Sequence, residues 1–269
     1  VAGQGLAHLR AAGVEVIGPV MQAQCEESNK AFFQRITTNK PYVINKMAMS
    51  LDGRTAMESG ESQWITGPQA RAQVHLLRAQ SCAIITGIGS VLRDDPSMNA
   101  RAQELMISGV PDTTVKRMKQ PLRVILDSQL RMPVTAKLLQ QSGPVLVVTC
   151  VTDLKLHKPL VDAGAELVVC ALNDDEKVDL AAVLKVLSQR QCNQVLVEAG
   201  AGLSGAFLTE GLTDHLVVYM APKLLGSKAK ALFNLPLDKM SQAYGLDIKH
   251  ISQVGHDWRI DATPKSADS

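Results

Sequence analysis

Val197-Glu-Ala-Gly-Ala-Gly-Leu-Ser-Gly205 closes an apolar run at residues 194–198 and opens a second apolar stretch at residues 203–210. A glycine-spaced turn from strand to helix leaves the first N–H groups of the helix free. The positive end of its dipole then faces whatever lies over the turn, a setting that attracts a pyrophosphate. The spacing alone serves a plain tight turn equally well. A Rossmann domain places an acidic residue at the end of the next strand, ~20 residues on, and continues through further β-α units. Here the next run, residues 215–220, leads into Ala221-Pro-Lys-Leu-Leu225, and only a terminal hairpin comes after it. The Rossmann architecture therefore fails, and a different dinucleotide-binding sheet is required.

The rest of the chain supplies one. Runs at residues 42–50, 83–86, 122–126, 145–149 and 165–169 are mainly apolar on successive residues, as strands covered on both faces are. Helical stretches fall at residues 68–80, 180–190 and 203–210. Two last runs, residues 248–254 and 258–262, flank Gly255-His-Asp257 and read as an antiparallel hairpin. The expected class is α/β: a mixed, mainly parallel sheet flanked by helices and closed by a C-terminal hairpin. Residues 101–119, with Gly109 and Pro111 and no clear period, read as a surface excursion. Ahead of Pro41, a helix stopped at Gly13, a short strand at residues 14–17 and a helix at residues 23–35 form a piece too small to close a core alone. This places a boundary near Thr37-Thr-Asn-Lys40, with residues 1–38 as the tail of a preceding domain and residues 39–269 as the main one.

Composition removes several function classes. Hydrophobic residues make up 46% of the 269 and charged residues 20%, a globular balance that excludes disordered and fibrous chains. A net charge of +2 with 3% aromatics offers no nucleic-acid surface. No apolar stretch is long enough for a bilayer, and Val1-Ala-Gly-Gln4 lacks the features of a secretion signal, so a cytoplasmic location without membrane attachment is expected. Cys25, Cys82, Cys150, Cys170 and Cys192 form no C-x-x-C pair and read mostly as reduced core thiols. None of the six histidines has metal-ligand spacing; His75 reads as structural and no metal is expected.

Singly, the remaining polar positions support bland and functional readings alike. Lys46 lies inside an apolar strand, where it needs an anionic partner or ligand, unless the strand is an edge guarded by its lysine. Arg78 could satisfy the last carbonyls of its own helix. Asp127-Ser-Gln-Leu-Arg131 sets a hydroxyl and a guanidinium at a strand end, suited to an adenosine 2′-phosphate and hence to NADPH over NADH. Asp94-Asp-Pro96 reads as a turn.

Together the segments are specific. Lys46 through Trp64 (with Ser-Leu-Asp-Gly-Arg-Thr-Ala and Ser-Gln-Trp-Ile-Thr), Leu76-Leu-Arg-Ala-Gln80, Asp94-Asp-Pro96, Leu126-Asp-Ser128, Val197-Glu-Ala-Gly200 and Ala221-Pro-Lys-Leu-Leu-Gly226 resemble, in order and spacing, the bacterial bifunctional riboflavin-biosynthesis deaminase/reductase family. The resemblance covers residues 41–258 and implies a dihydrofolate-reductase-like fold. Residues 1–33 resemble the end of that family's deaminase domain. No His-Ala-Glu or Pro-Cys…Cys zinc motif is present, so zinc and deamination would belong to residues outside this chain.

The resemblance implies NADPH-dependent reduction of 5-amino-6-(5-phosphoribosylamino)uracil to its ribitylamino form. It implies cofactor contacts from Ala48, Trp64, Ser90, Asp94, Ser128 and the loop Gly200, Ala201, Gly202, Leu203, Ser204, Gly205 and Ala206. Substrate contacts fall to Lys46, Ser62, Arg78, Met98, Arg101 and Glu198, the three basic residues suiting the 5-phosphate. Asp94 is the first candidate for proton transfer, Glu198 the second, and Lys46 completes the catalytic set. The closing hairpin suits a homodimer. Two alternatives stay open: another pterin or pyrimidine reductase on this fold, and a non-catalytic NADPH-binding module.

Overall fold

Neighbouring residues of a strand point to opposite faces, so a strand apolar at every position needs cover on both. In the computed structural model, which describes residues 3–265, the apolar runs meet that need. Helices α1 (Gln4–Ala11), α2 (Gln22–Ser28) and α3 (Lys30–Thr38) lead into β1 (Tyr42–Ser50), β2 (Arg54–Ala56) and α4 (Pro68–Gln80). Next come β3 (Ala83–Gly87), α5 (Ile88–Asp94), α6 (Ala102–Ile107), α7 (Asp112–Val115), β4 (Leu122–Leu126), β5 (Val145–Thr149), α8 (Leu154–Asp162) and β6 (Glu166–Val169). The chain ends through α9 (Leu180–Gln189), β7 (Gln194–Val197), α10 (Ala201–Thr209), β8 (His215–Ala221), β9 (Lys230–Ala231), β10 (Leu246–Val254) and β11 (Asp257–Pro264).

Nine strands form one sheet in the order β10-β11-β8-β1-β7-β3-β4-β5-β6, while β2 and β9 make a separate ribbon. From β8 to β6 every neighbour is parallel; β11 joins β8, and β10 joins β11, antiparallel. The expected mixed, mainly parallel α/β sheet with its closing hairpin is thus the observed one. Val43, Ile85, Val124, Leu146 and Val195 pack against α9 and against Phe207 of α10. One residue along, Ile44, Ile84 and Leu196 pack against Ala70, Val74 and Leu77 of α4. Ile125 and Val147 meet Ile88 and Val91 of α5 and Leu160 of α8 on that same side. The same alternation assigns the polar positions: Lys46, Ala48 and Glu198 share the α4 side with Ile44 and Leu196, whereas the buried Asn45 faces α10 and donates to the Ser204 carbonyl at 3.0 Å.

Several local expectations are corrected. Residues 14–17 form no strand, because no neighbour offers the ladder of hydrogen bonds an isolated strand needs. The helix expected at residues 23–35 is two helices, broken at Asn29, whose side chain turns back to the Cys25 carbonyl at 2.9 Å. None of α1–α3 contributes a buried residue. Residues 101–119 are not bare loop but carry α6 and α7, pinned by Leu105 in the interior. Helix α8 was not expected from the sequence; Pro159 interrupts its pattern. Of the five cysteines, Cys192 is buried in the core and Cys150 and Cys170 are half-buried against it, while Cys25 and Cys82 are exposed. Among the described residues no helix is long and apolar enough to cross a membrane, and no group of three His, Cys, Asp or Glu is placed to hold a metal.

Candidate active site

The carboxyl ends of β1, β3, β4 and β7 open to one side of the sheet, where open α/β sheets place ligands. Glu198 extends β7 by one residue, its N–H bonded to the Ile85 carbonyl at 3.0 Å, and its side chain emerges beneath α4. Arg78, on the last turns of α4, donates from Nε to Oε1 at 2.6 Å and from Nη2 to Oε2 at 2.9 Å. From β1, Lys46 brings Nζ to 3.7 Å from Oε2. The three side chains are 11–16% exposed, so the cluster is screened little by water.

This charge arrangement fixes protonation. Burial alone would raise the Glu198 pKa, but Arg78 and then Lys46 outweigh it and hold the carboxyl at about 2. Lys46 moves the other way: burial lowers its pKa, Arg78 adds to the effect, and Glu198 opposes it. Two cations on one carboxylate leave an excess positive charge at the strand ends. Lys46 thus finds the anionic partner its strand position demanded, within the protein. Arg78 does not serve its own helix's carbonyls as its bland reading had it; its third donor, Nη1, reaches the Asn99 carbonyl at 3.1 Å.

Three residues beyond Glu198 begins the second half of the site. Gly200 caps α10 in an extended conformation, leaving the N–H groups of Ala201, Gly202 and Leu203 without intrahelical carbonyls. A Cβ built on Gly200 or Gly202 would meet nothing within 4 Å, so both glycines border open space. On Gly205 it would overlap the Asn234 carbonyl oxygen, so this glycine serves packing. Ser204 is fully buried and Ala206 packs toward the α9 core. Leu203 touches the position a Gly87 side chain would occupy, at 3.5 Å, which sets α10 against the start of α5.

The other expected site residues are distributed around these two groups. Ser90 is half-buried on α5, and Asp94, its last residue, is exposed. At the end of β4, the Ser128 hydroxyl accepts from the Val178 N–H at 3.0 Å, and the Arg131 guanidinium is 3.9 Å from the buried Asp127. Trp64 is 63% exposed, stacked by Arg71 at 4.6 Å, with its carbonyl held by Lys223 Nζ at 2.9 Å; Ser62 is half-buried in the same loop. Ala48 lies on the α4 side of β1 beside Tyr219 of β8.

Two substrate expectations need correction. Met98 is 3% exposed and packs with Leu77, Ile84 and Leu196, so its side chain belongs to the core and offers a ligand at most its backbone. Arg78 and Lys46 are held by Glu198, which leaves Arg101, exposed and in no ion pair among the described residues, as the free cation of the three. Sequence reasoning also missed Asp52, whose carboxylate accepts from Ser50 Oγ and from the N–H groups of Leu225 and Gly226, the latter at 2.8 Å, tying the β1–β2 turn to the segment after β8. An aspartate before glycine at a strand end was its only signal.

A mainly parallel sheet with a bare glycine turn and a buried carboxylate–cation cluster at the carboxyl ends of its inner strands defines an α/β domain whose polar groups gather where such sheets bind ligands. Within that class the chain belongs to the RibD C-terminal domain family, whose model matches residues 41–260. It is 42% identical over 260 residues to riboflavin biosynthesis protein RibD of Escherichia coli K12, covering 96% of this chain and 69% of that one. RibD of Haemophilus influenzae is 40% identical, with 98% and 70% covered. In structure it resembles Acinetobacter baumannii RibD at a TM-score of 0.87 and 39% identity, covering 99% of this chain and 70% of the other. The deaminase/5-amino-6-(5-phosphoribosylamino)uracil reductase of Thermotoga maritima aligns at a TM-score of 0.80 and 25% identity, with 97% and 67% covered.

Proposed function

We propose that this chain is the reductase of riboflavin biosynthesis that converts 5-amino-6-(5-phosphoribosylamino)uracil to the ribitylamino compound with NADPH. One observation carries the reading: within eight residues, Glu198 to Gly205, the chain places a carboxylate locked by two cations beside a helix start stripped of side chains. The open space over Gly200 and Gly202 fits a pyrophosphate held by the N–H groups of Ala201 to Leu203. Ser128 and Arg131 suit the 2′-phosphate, and Ala48, Trp64, Ser90 and Asp94 the nicotinamide half. NADPH, when bound there, supplies the hydride.

The chain's own residues prepare the acceptor. Opening the ribosylamine ring gives the ring oxygen a proton and leaves a C=N bond at the sugar's first carbon; hydride adds to that carbon and the nitrogen takes up a proton. Glu198, ionised far below neutrality, cannot be the acid; it orients Lys46 and Arg78. Proton delivery falls to Lys46, whose lowered pKa eases release; Asp94, exposed at the end of α5, would relay protons between the site and water rather than hold one. Arg101 takes the 5-phosphate, so that binding at a remote group fixes the reacting carbon.

Residues 1–38 form, in this reading, the end of a deaminase domain and residues 39–269 the reductase. Helices without buried residues and a family match beginning at Pro41 support that division. Exposed Leu246, Ile248, Ile251 and Trp258 on the terminal hairpin suit a homodimer, and the enzyme would work in the cytoplasm. The test is to incubate the purified chain with NADPH and the phosphoribosylamino-pyrimidine. Equimolar NADPH oxidation and a product heavier by two hydrogens are expected, and an unchanged substrate overturns the assignment.

A further inference from the structure

Residues Asn99–Arg101 cross the mouth of the site outside any strand or helix, yet side chains satisfy their backbone almost group by group. The Asn99 carbonyl accepts from Arg78 at 3.1 Å. Gln120 bonds Ala100 twice, its Oε1 accepting from the N–H at 2.9 Å and its Nε2 donating to the carbonyl at 2.8 Å. The Arg101 N–H donates to His75 Nδ1 at 3.2 Å. Before them, Met98 is anchored in the core in a left-handed conformation, at φ 49°. After them, the Arg101 carbonyl accepts from Leu105 and starts α6. His75 and Arg78, three residues apart, lie on the same face of α4, so the grip on this segment and the clamp on Glu198 share one support.

We propose that His75 and Gln120 are positioning residues that hold Asn99–Arg101 so that the Arg101 guanidinium meets the phosphate of a sugar-phosphate substrate, an inference that rests on the reductase reading. Two adjoining observations agree with it. Arg101 is the cation of the expected trio that no carboxylate among the described residues claims. His75 can serve as an acceptor near neutrality because burial, then Arg78 and Arg101, depress its pKa to about 4, keeping the imidazole neutral.

The probes are ribose 5-phosphate in direct titration and the pyrimidine substrate, with and without its phosphate, in turnover. His75→Leu and Gln120→Leu are expected to weaken ribose 5-phosphate binding and raise the KM for the phosphorylated substrate about tenfold, with kcat and the KM for NADPH within about threefold. His75→Asn, which keeps an acceptor near the Nδ1 position, should recover to within about threefold of wild type, and the penalties should vanish in an Arg101→Ala background. Wild-type ribose 5-phosphate affinity in both leucine variants overturns the proposal. So does a parallel fall of kcat, NADPH affinity and thermal stability, or a His75→Asn variant no better than the leucine. A wild-type protein that binds ribose 5-phosphate in a His75-dependent way but oxidises no NADPH sinks the reductase reading and keeps the positioning role. One that does not bind ribose 5-phosphate sinks the positioning role itself.

Discussion

Glu198 and Gly200 stand two residues apart, and the protein treats them in opposite ways. Around Glu198 space is filled: a carboxylate, a guanidinium and an ammonium interlock under α4, each satisfied by the others. Around Gly200 space is kept empty: no side chain approaches, and the groups presented are backbone N–H donors whose geometry the helix sets. The first arrangement is coupled to stability, because removing one partner strands a buried charge. The second is nearly free of that coupling, since nothing packs over Gly200 or Gly202. Damage to the two halves should therefore read out differently.

The largest effect belongs to the filled half. Glu198→Gln leaves Arg78 and Lys46 facing each other without an anion and should cost about 3–5 kcal/mol, measured by urea denaturation, along with most of the turnover. Wild-type stability would mean the three charges are not coupled. The pH dependence has a defined sign. Glu198's folded pKa, at about 2, lies below its ordinary 4.5, so its stabilisation is complete above pH 4.5 and drains as pH falls toward 2. That contribution is about 3 kcal/mol and should be missing from the acid limb of the Glu198→Gln stability curve.

Within the open half the glycines should separate. Gly205→Ala drives a methyl group into the Asn234 carbonyl and should cost about 2 kcal/mol of stability, by thermal or chemical melt. Gly200→Ala meets no neighbour and should melt within about 0.5 kcal/mol of wild type while binding NADPH about tenfold more weakly in a fluorescence titration. Equal melting of the two variants would erase the distinction between packing and recognition glycines. The smallest change is expected from Arg131→Ala. This exposed residue should leave stability untouched and reduce the preference for NADPH over NADH several-fold, in paired KM measurements.

How much of the molecule was legible in its sequence depends on what each feature relies on. Strands β1, β4 and β5 and helix α4 carry their signal locally, in mainly apolar runs and a proline-led helix start, and they form at the expected residues. The glycine turn is equally local. The Glu198 clamp is not: Arg78 lies 120 residues away in sequence, and only the β7–β3 register brings it over the carboxylate. The resemblance named three cations for a phosphate, and no local pattern could show that two of them contact Glu198. Met98 failed for a related reason, since a core contact with Leu196 depends on which face the chain presents after α5. Gln120 carried no signal at all, because side chains that cap a distant backbone leave no periodic trace. Residues 14–17 show the converse, a strand-like run with no partner to pair with.

In the proposed reaction a reduced nucleotide lies over Gly200 against a sugar carbon held near Lys46 and Glu198. NADPH with both hydrogens of the reducing carbon of its nicotinamide replaced by deuterium tests this in a single incubation with the phosphoribosylamino-pyrimidine. One deuterium per product molecule is expected, on the first carbon of the ribityl chain. Product with no label, or with label at any other carbon, would contradict it.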